Sequence, residues 1–155
     1  MGIGQEIQQT SFRSEYHKAL VNVIFSSNWL LEQIRMILEK EDITHQQYNI
    51  LRILKGSAKP MSTLQIRERM LDKMSDTSRI VERLLKKELV NKMVCAGDKR
   101  LVDVTISDKG LALLERLEES TIAIDGITSK LDKEEVITLN FLLDKMRGNT
   151  PDAPR

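Results

Sequence analysis

The apolar residues of this chain change their period once, and that change limits the folds open to it. From Thr44 to about Val90 they recur at three- and four-residue steps, the repeat of amphipathic helices. Beyond that the pattern alternates. "KMVCA" (92–96) and "LVDVTI" (101–106) read as strands, with Val102, Val104 and Ile106 on one face. "GDKR" between them supplies a turn, with Gly97 free to take a positive φ. Three short helices followed by a two-stranded hairpin is the expected order.

Each helix carries its own start signal. Thr44 and Gln47 have capping-box spacing, and Ile43 and Tyr48 fall at the positions of a hydrophobic staple. "QQYNILRIL" runs to about Lys55, where "GSAKP" ends it. Ser62 or Thr63 caps "LQIRERML", in which Ile66 and Met70 lie one turn apart. After the break "DKM", Ser75 or Asp76 caps "SDTSRIVERLLKKELV". Ile80, Val81 and Leu84 face inward, and Arg79, Arg83 and Lys86 share one outer face at i, i+4 and i+7.

The flanks are longer helices. From about Thr10 to Glu41 there is no Pro or Gly, and Tyr16, Leu20, Val23, Ser27, Leu30, Ile34 and Ile37 form a heptad-like stripe. Ile24, Leu31 and Leu38 form a second stripe, so this helix must pack on more than its own small domain. "SSNW" (26–29) sets small polar residues beside the only Trp. Trp29 as a core filler is the preferred reading, and the wall of a ligand pocket is the other. Ser107 caps a fifth helix, with Leu111, Leu114 and Leu117 on one side. Gly110 in its first turn costs a helix about 1 kcal/mol against Ala, which a close backbone approach explains. A last helix carries Val136, Leu139, Leu143 and Met146 at heptad spacing, and "RGNTPDAPR" follows as an expected flexible tail.

Charge separates the middle from the ends. The net charge is only +1, yet Thr44–Gly110 holds 14 Lys or Arg against 8 Asp or Glu, a balance of +6, and the rest carries −5. A basic middle suits a polyanion. The first twenty residues lack the basic-then-apolar plan of a secretory signal, and no apolar run approaches a membrane span, so the expectation is a cytoplasmic protein with no membrane partner. One Cys and two His exclude a disulfide framework and an ordinary four-ligand zinc site within one chain. Neither metal nor cofactor is expected. The sequence holds no nucleophile–base set or phosphate-cradling Gly loop, so an enzyme is not expected either.

Three helices and a hairpin in this order make a winged helix-turn-helix, in which the second helix of the turn motif enters the major groove by its amino end. Here that helix begins near Ser75. Thr77 and Ser78 in its first turn are offered to phosphates or base edges, and Arg79, Arg83 and Lys86 are placed to reach bases or backbone. The hairpin is the wing. Arg100 at its tip suits a narrow minor groove, Lys99 a phosphate, and Asp98 a pairing role that aims the Arg100 guanidinium.

The ordered pieces "ITHQQYNILRIL", "TSRIVERLLKKELV", "DKR" and "VTISDKG" resemble the MarR (multiple-antibiotic-resistance regulator) type of bacterial transcription regulators, from about Thr44 to Glu118. Asp98, Arg100 and Gly110 match the family's wing pattern. Ile106-Ser107 replaces its Leu-Thr, and Glu88 stands where the recognition helix often ends in Gly. The resemblance implies a mainly α fold with a small β-hairpin: a winged helix-turn-helix lobe (44–106) between an N-terminal dimerisation helix (1–43) and C-terminal dimerisation helices (107–147), with a tail at 148–155. It also implies a homodimer on a pseudo-palindromic double-stranded operator. The regulator would be a repressor or activator, with repression the commoner, relieved by a small and often aromatic ligand. Ser27, Trp29 and Tyr48 are the candidate ligand residues. Family members that sense oxidants place a Cys near the start of the first helix. This chain has only Cys95, read as a small core residue, so thiol sensing is set aside. A winged-helix protein-interaction module without DNA binding is the alternative, against which the retained Arg79, Arg83 and Arg100 argue.

Overall fold

The computed structural model describes residues 2–94 and 102–149. A short helix, α1 (Ile3–Glu6), precedes the long α2 (Glu15–Leu38), whose start is fixed by the Ser14 side chain accepting from the His17 N–H. A 3-10 turn at Glu39–Glu41 and a left-handed Asp42 reverse the chain into α3 (His45–Lys55). The Thr44–Gln47 capping box closes at 3.1 and 3.2 Å. Strand β1 (Met61–Ser62) leads directly into α4 (Thr63–Arg69), capped by Ser62 with Gln65. Then come α5 (Thr77–Lys86), β2 (Val90–Val94), β3 (Val102–Ile106), α6 (Asp108–Arg116), α7 (Glu118–Asp125) and α8 (Lys133–Met146). The last helix starts at a third capping box, Asp132 with Glu135.

The sheet has three antiparallel strands in the order β1-β3-β2, not the two of a simple hairpin. Met61 pairs with Val104, and Val90 pairs with Ile106. A two-residue strand is too short to show alternation, so its sequence carries no signal for it. The second strand also starts two residues earlier than its alternation suggests, because α5 stops at Lys86.

The core lies within the lobe. Gln47, Ile50, Leu51 and Leu54 form the buried stripe of α3, and its three apolar members cluster with Ile66, Met70, Val81, Leu84, Leu89, Val90 and Val104. Leu113, Leu114 and Leu117 of the α6 region complete it. Leu113, rather than Leu111, shares the buried face with Leu114 and Leu117, and Leu111 is half-buried. Gly110 shows why: it is buried against the Leu89 carbonyl, which fixes the rotation of α6 about its axis.

The flanking helices bury little of their apolar surface within one chain. Leu38 is the only buried residue of α2, and α7 and α8 have none. Tyr16 is 91% exposed, and Leu20, Ile24, Ile122, Leu139, Leu142 and Met146 are exposed with it. Trp29 is 46% exposed and does not fill the core of its own chain. The lobe packs only on the last turns of α2, where Leu38 is buried and Ile34 touches the core, so Trp29 lies beyond its reach. Among the described residues no helix is long and apolar enough to cross a membrane.

Candidate nucleic-acid interface

Helix α5 is amphipathic by construction. Its amino end is capped by Asp76, whose carboxylate accepts from the Arg79 N–H at 3.1 Å, so Asp76 rather than Ser75 is the cap. Thr77, Val81 and Leu84 are buried at i, i+4 and i+7 and seat the helix on the core. The opposite face exposes Ser78, Arg79, Glu82, Arg83 and Lys86.

The carboxylates able to neutralise that face are engaged elsewhere. Glu82 reaches Lys92 of β2 at 3.8 Å, and Asp76 serves the helix backbone. Among the described residues Arg79, Arg83 and Lys86 make no ion pair. Three cations on one face without ion-pair partners among the described residues are the feature that attracts phosphate.

The first turn departs from its sequence reading. Thr77 is only 4% exposed, and its Oγ1 is buried without a hydrogen-bond partner among the described residues. Its side chain therefore belongs to the core face and does not reach a base edge. The heptad-like spacing of Thr77, Val81 and Leu84 carried that signal, which polarity alone obscured. Ser75 is half-buried and donates its hydroxyl to the Asp72 carbonyl at 2.8 Å, fixing the turn that precedes the helix. Ser78 is exposed. The candidate wing residues Asp98, Lys99 and Arg100, and Cys95 with them, lie outside the described residues.

The carboxyl end of α5 is closed by two backbone bonds. The Glu88 N–H donates to the Leu85 carbonyl at 2.9 Å and the Leu89 N–H to the Leu84 carbonyl at 3.0 Å, which is a Schellman motif. Glu88 occupies its left-handed position with φ +60°, where Gly is the usual residue. The motif therefore forms without glycine. The Glu88 carbonyl accepts from Ser107 Oγ at 2.7 Å and its carboxylate meets Lys109 at 3.0 Å.

Cavities lie beside the amino end of α5 and at the corner between α2 and α3. One of about 520 Å³ lies between α4 and the amino end of α5, lined by Leu64, Arg67 and Met74 with Ser75–Ser78. Sequence patterning passed over Leu64, Arg67 and Met74, because an exposed Leu or Met looks the same as a core residue before its helix is rotated into place. The second, about 450 Å³, lies between the second half of α2 and the start of α3 and reaches Lys87. Within it Arg35 holds Glu32 through two bonds of 2.7 and 2.9 Å, and that guanidinium keeps the Glu32 carboxyl below its ordinary range. The candidate ligand residues Ser27, Trp29 and Tyr48 do not line this cleft. Ser27 and Trp29 are exposed on α2, and the half-buried Tyr48 hydroxyl meets Thr121 Oγ1 at 2.9 Å.

Residues 43–102 match the model of the MarR family. That segment is a MarR-family domain. The structure is similar to that of a MarR transcription factor from Planctomyces limnophilus, with 27% identity and a TM-score of 0.66 over 86% of this chain and 98% of that one. It is also similar to S. aureus MepR in complex with DNA (22% identity, TM-score 0.71, 89% and 98% covered). Bordetella bronchiseptica BpsR, whose DNA binding is regulated by 6-hydroxynicotinic acid, shares the fold at 21% identity and a TM-score of 0.72, with 84% and 91% covered. No curated protein was found to match the chain. By this likeness of fold, α4 and α5 stand where a helix-turn-helix does, and β2 and β3 where its wing does.

Proposed function

We propose that this chain is a transcription regulator that binds double-stranded DNA through α5, acting as a homodimer on a pseudo-palindromic operator. The observation that carries this reading is the exposed face of α5, where Arg79, Arg83 and Lys86 stand without ion-pair partners among the described residues beside the exposed Ser78. Asp98, Lys99 and Arg100 are assigned to the wing tip, with Arg100 in the adjacent minor groove. Residues 44–106 form the DNA-binding lobe. The segments 1–43 and 107–147 pair with a second copy through the apolar faces that α2, α7 and α8 leave exposed.

Repression relieved by a small, often aromatic ligand is the regulatory mode we assign, supported by the 6-hydroxynicotinic acid response of the similar BpsR. Ser27, Trp29 and Tyr48 remain the ligand residues of this assignment. In a paired molecule the exposed ring of Trp29 would gain a second wall.

The test is the salt dependence of duplex binding. Each phosphate contact contributes about 0.9 to the slope of log affinity against log salt. Arg83→Gln is expected to lower affinity and flatten that slope by about one unit. An unchanged slope would assign Arg83 to solvent and remove the main support for α5 as the DNA-facing helix.

A further inference from the structure

We infer that Met74, with Leu64 beside it, is an apolar reader for the C5-methyl group of a thymine in the major groove. This rests on the DNA-binding reading above and names part of its specificity. Met74 is 94% exposed, the highest value among the large apolar residues described, and Leu64 is 64% exposed. Both line the cavity of about 520 Å³ that also holds Arg67 and the first turn of α5.

The exposure is built into a held turn. The Met74 N–H donates to the Asp72 carboxylate at 3.0 Å, and the Ser75 hydroxyl closes on the Asp72 carbonyl at 2.8 Å. Met74 thus stands two residues before the Asp76 cap, at the end of the recognition helix that enters the groove.

Charge around the cavity selects the occupant. Of the charged residues that line it, Arg67 is exposed and unpaired among the described residues, and the Asp76 carboxylate is engaged with the Arg79 N–H. An apolar protein surface would have to desolvate the Arg67 guanidinium, whereas a duplex offers it a phosphate. The apolar group that a duplex displays in its major groove is the thymine methyl. The unbranched thioether of Met adapts to such a contact without demanding one fixed geometry.

The probe is a duplex selected by the wild-type chain from random-sequence DNA, compared with copies in which single thymines are replaced by deoxyuridine. That change deletes the methyl and keeps the base pairing. The wild type is expected to lose about fourfold in affinity at one thymine per half-site, the value of one buried methyl-sized group. Met74→Ala should bind the thymine and uracil duplexes alike, and Leu64→Ala should narrow the difference. A wild type indifferent to every replacement, or a Met74→Ala chain that keeps the full thymine preference, would overturn the inference and leave DNA binding standing. Failure to select any duplex would overturn both.

Discussion

A Cβ placed on Gly110 would stand 2.2 Å from the Leu89 carbonyl oxygen and 2.9 Å from the Ile106 side chain. Backbone on that side cannot yield, because the same carbonyl accepts from the Ser107 N–H at 3.1 Å. Gly110→Ala is therefore expected to destabilise the fold by roughly 2–3 kcal/mol, as overpacking does, despite the better helix propensity of Ala. Urea denaturation checks this, and a midpoint at or above that of the wild type would refute the close approach. Thr77 is the opposite case. Its buried Oγ1 has no partner among the described residues, so the isosteric Thr77→Val should leave stability unchanged or raise it by about 1 kcal/mol. The same variant should bind DNA as the wild type does, whereas a side chain on the groove face would lose affinity. The Gly110 approach was legible from the sequence, since a Gly in a first helical turn demands a reason. The burial of Thr77 was legible only in its spacing with Val81 and Leu84, because by polarity a residue next to a cap reads equally well as a groove contact.

At the scale of elements, α5 is tied at its exit to both flanks. Lys87 donates to the carbonyl and carboxylate of Asp42 at the corner after α2, and Glu88 meets Ser107 and Lys109 at the start of α6. Arg116 grips Glu41 at 2.9 Å, and Tyr48 meets Thr121, whose hydroxyl also lies 3.1 Å from the Leu117 carbonyl. If Thr121 donates to that carbonyl, Tyr48 is the donor to Thr121. A movement of the flanking helices therefore reaches the exit of α5 through side-chain bonds on two sides. Tyr48→Phe should cost about 1 kcal/mol of stability, read from the same denaturation curves, and an unchanged midpoint would mean the bond contributes nothing in solution. The helix starts at Thr44, Ser62 and Ser107 were legible because capping side chains are local. Strand β1 and the break at Leu117 between α6 and α7 were not, since one is too short for a period and the other leaves the apolar spacing intact. The end of α5 was overrun for a related reason. Glu88 does not announce a left-handed residue as Gly would, so "ELV" read as more helix.

For the whole molecule, charge and apolar surface divide the labour. The basic segment holds the lobe, and the acidic remainder holds helices whose apolar faces stay exposed in one chain. The heptad-like stripes on α2 and α8 were legible in the sequence and their own lobe leaves them largely exposed, though a stripe does not say which side meets the lobe. Two lobes carried by one paired scaffold would set their recognition helices on successive turns of one DNA face. Selection from random-sequence duplexes at low salt tests this most directly. The expected result is an enriched inverted repeat with half-site centres about 10 base pairs apart, whose enrichment is lost when Arg79 and Arg83 are both changed to Gln. A selected pool with no dyad, or one that the doubly substituted chain enriches equally well, would contradict a paired molecule reading DNA through α5.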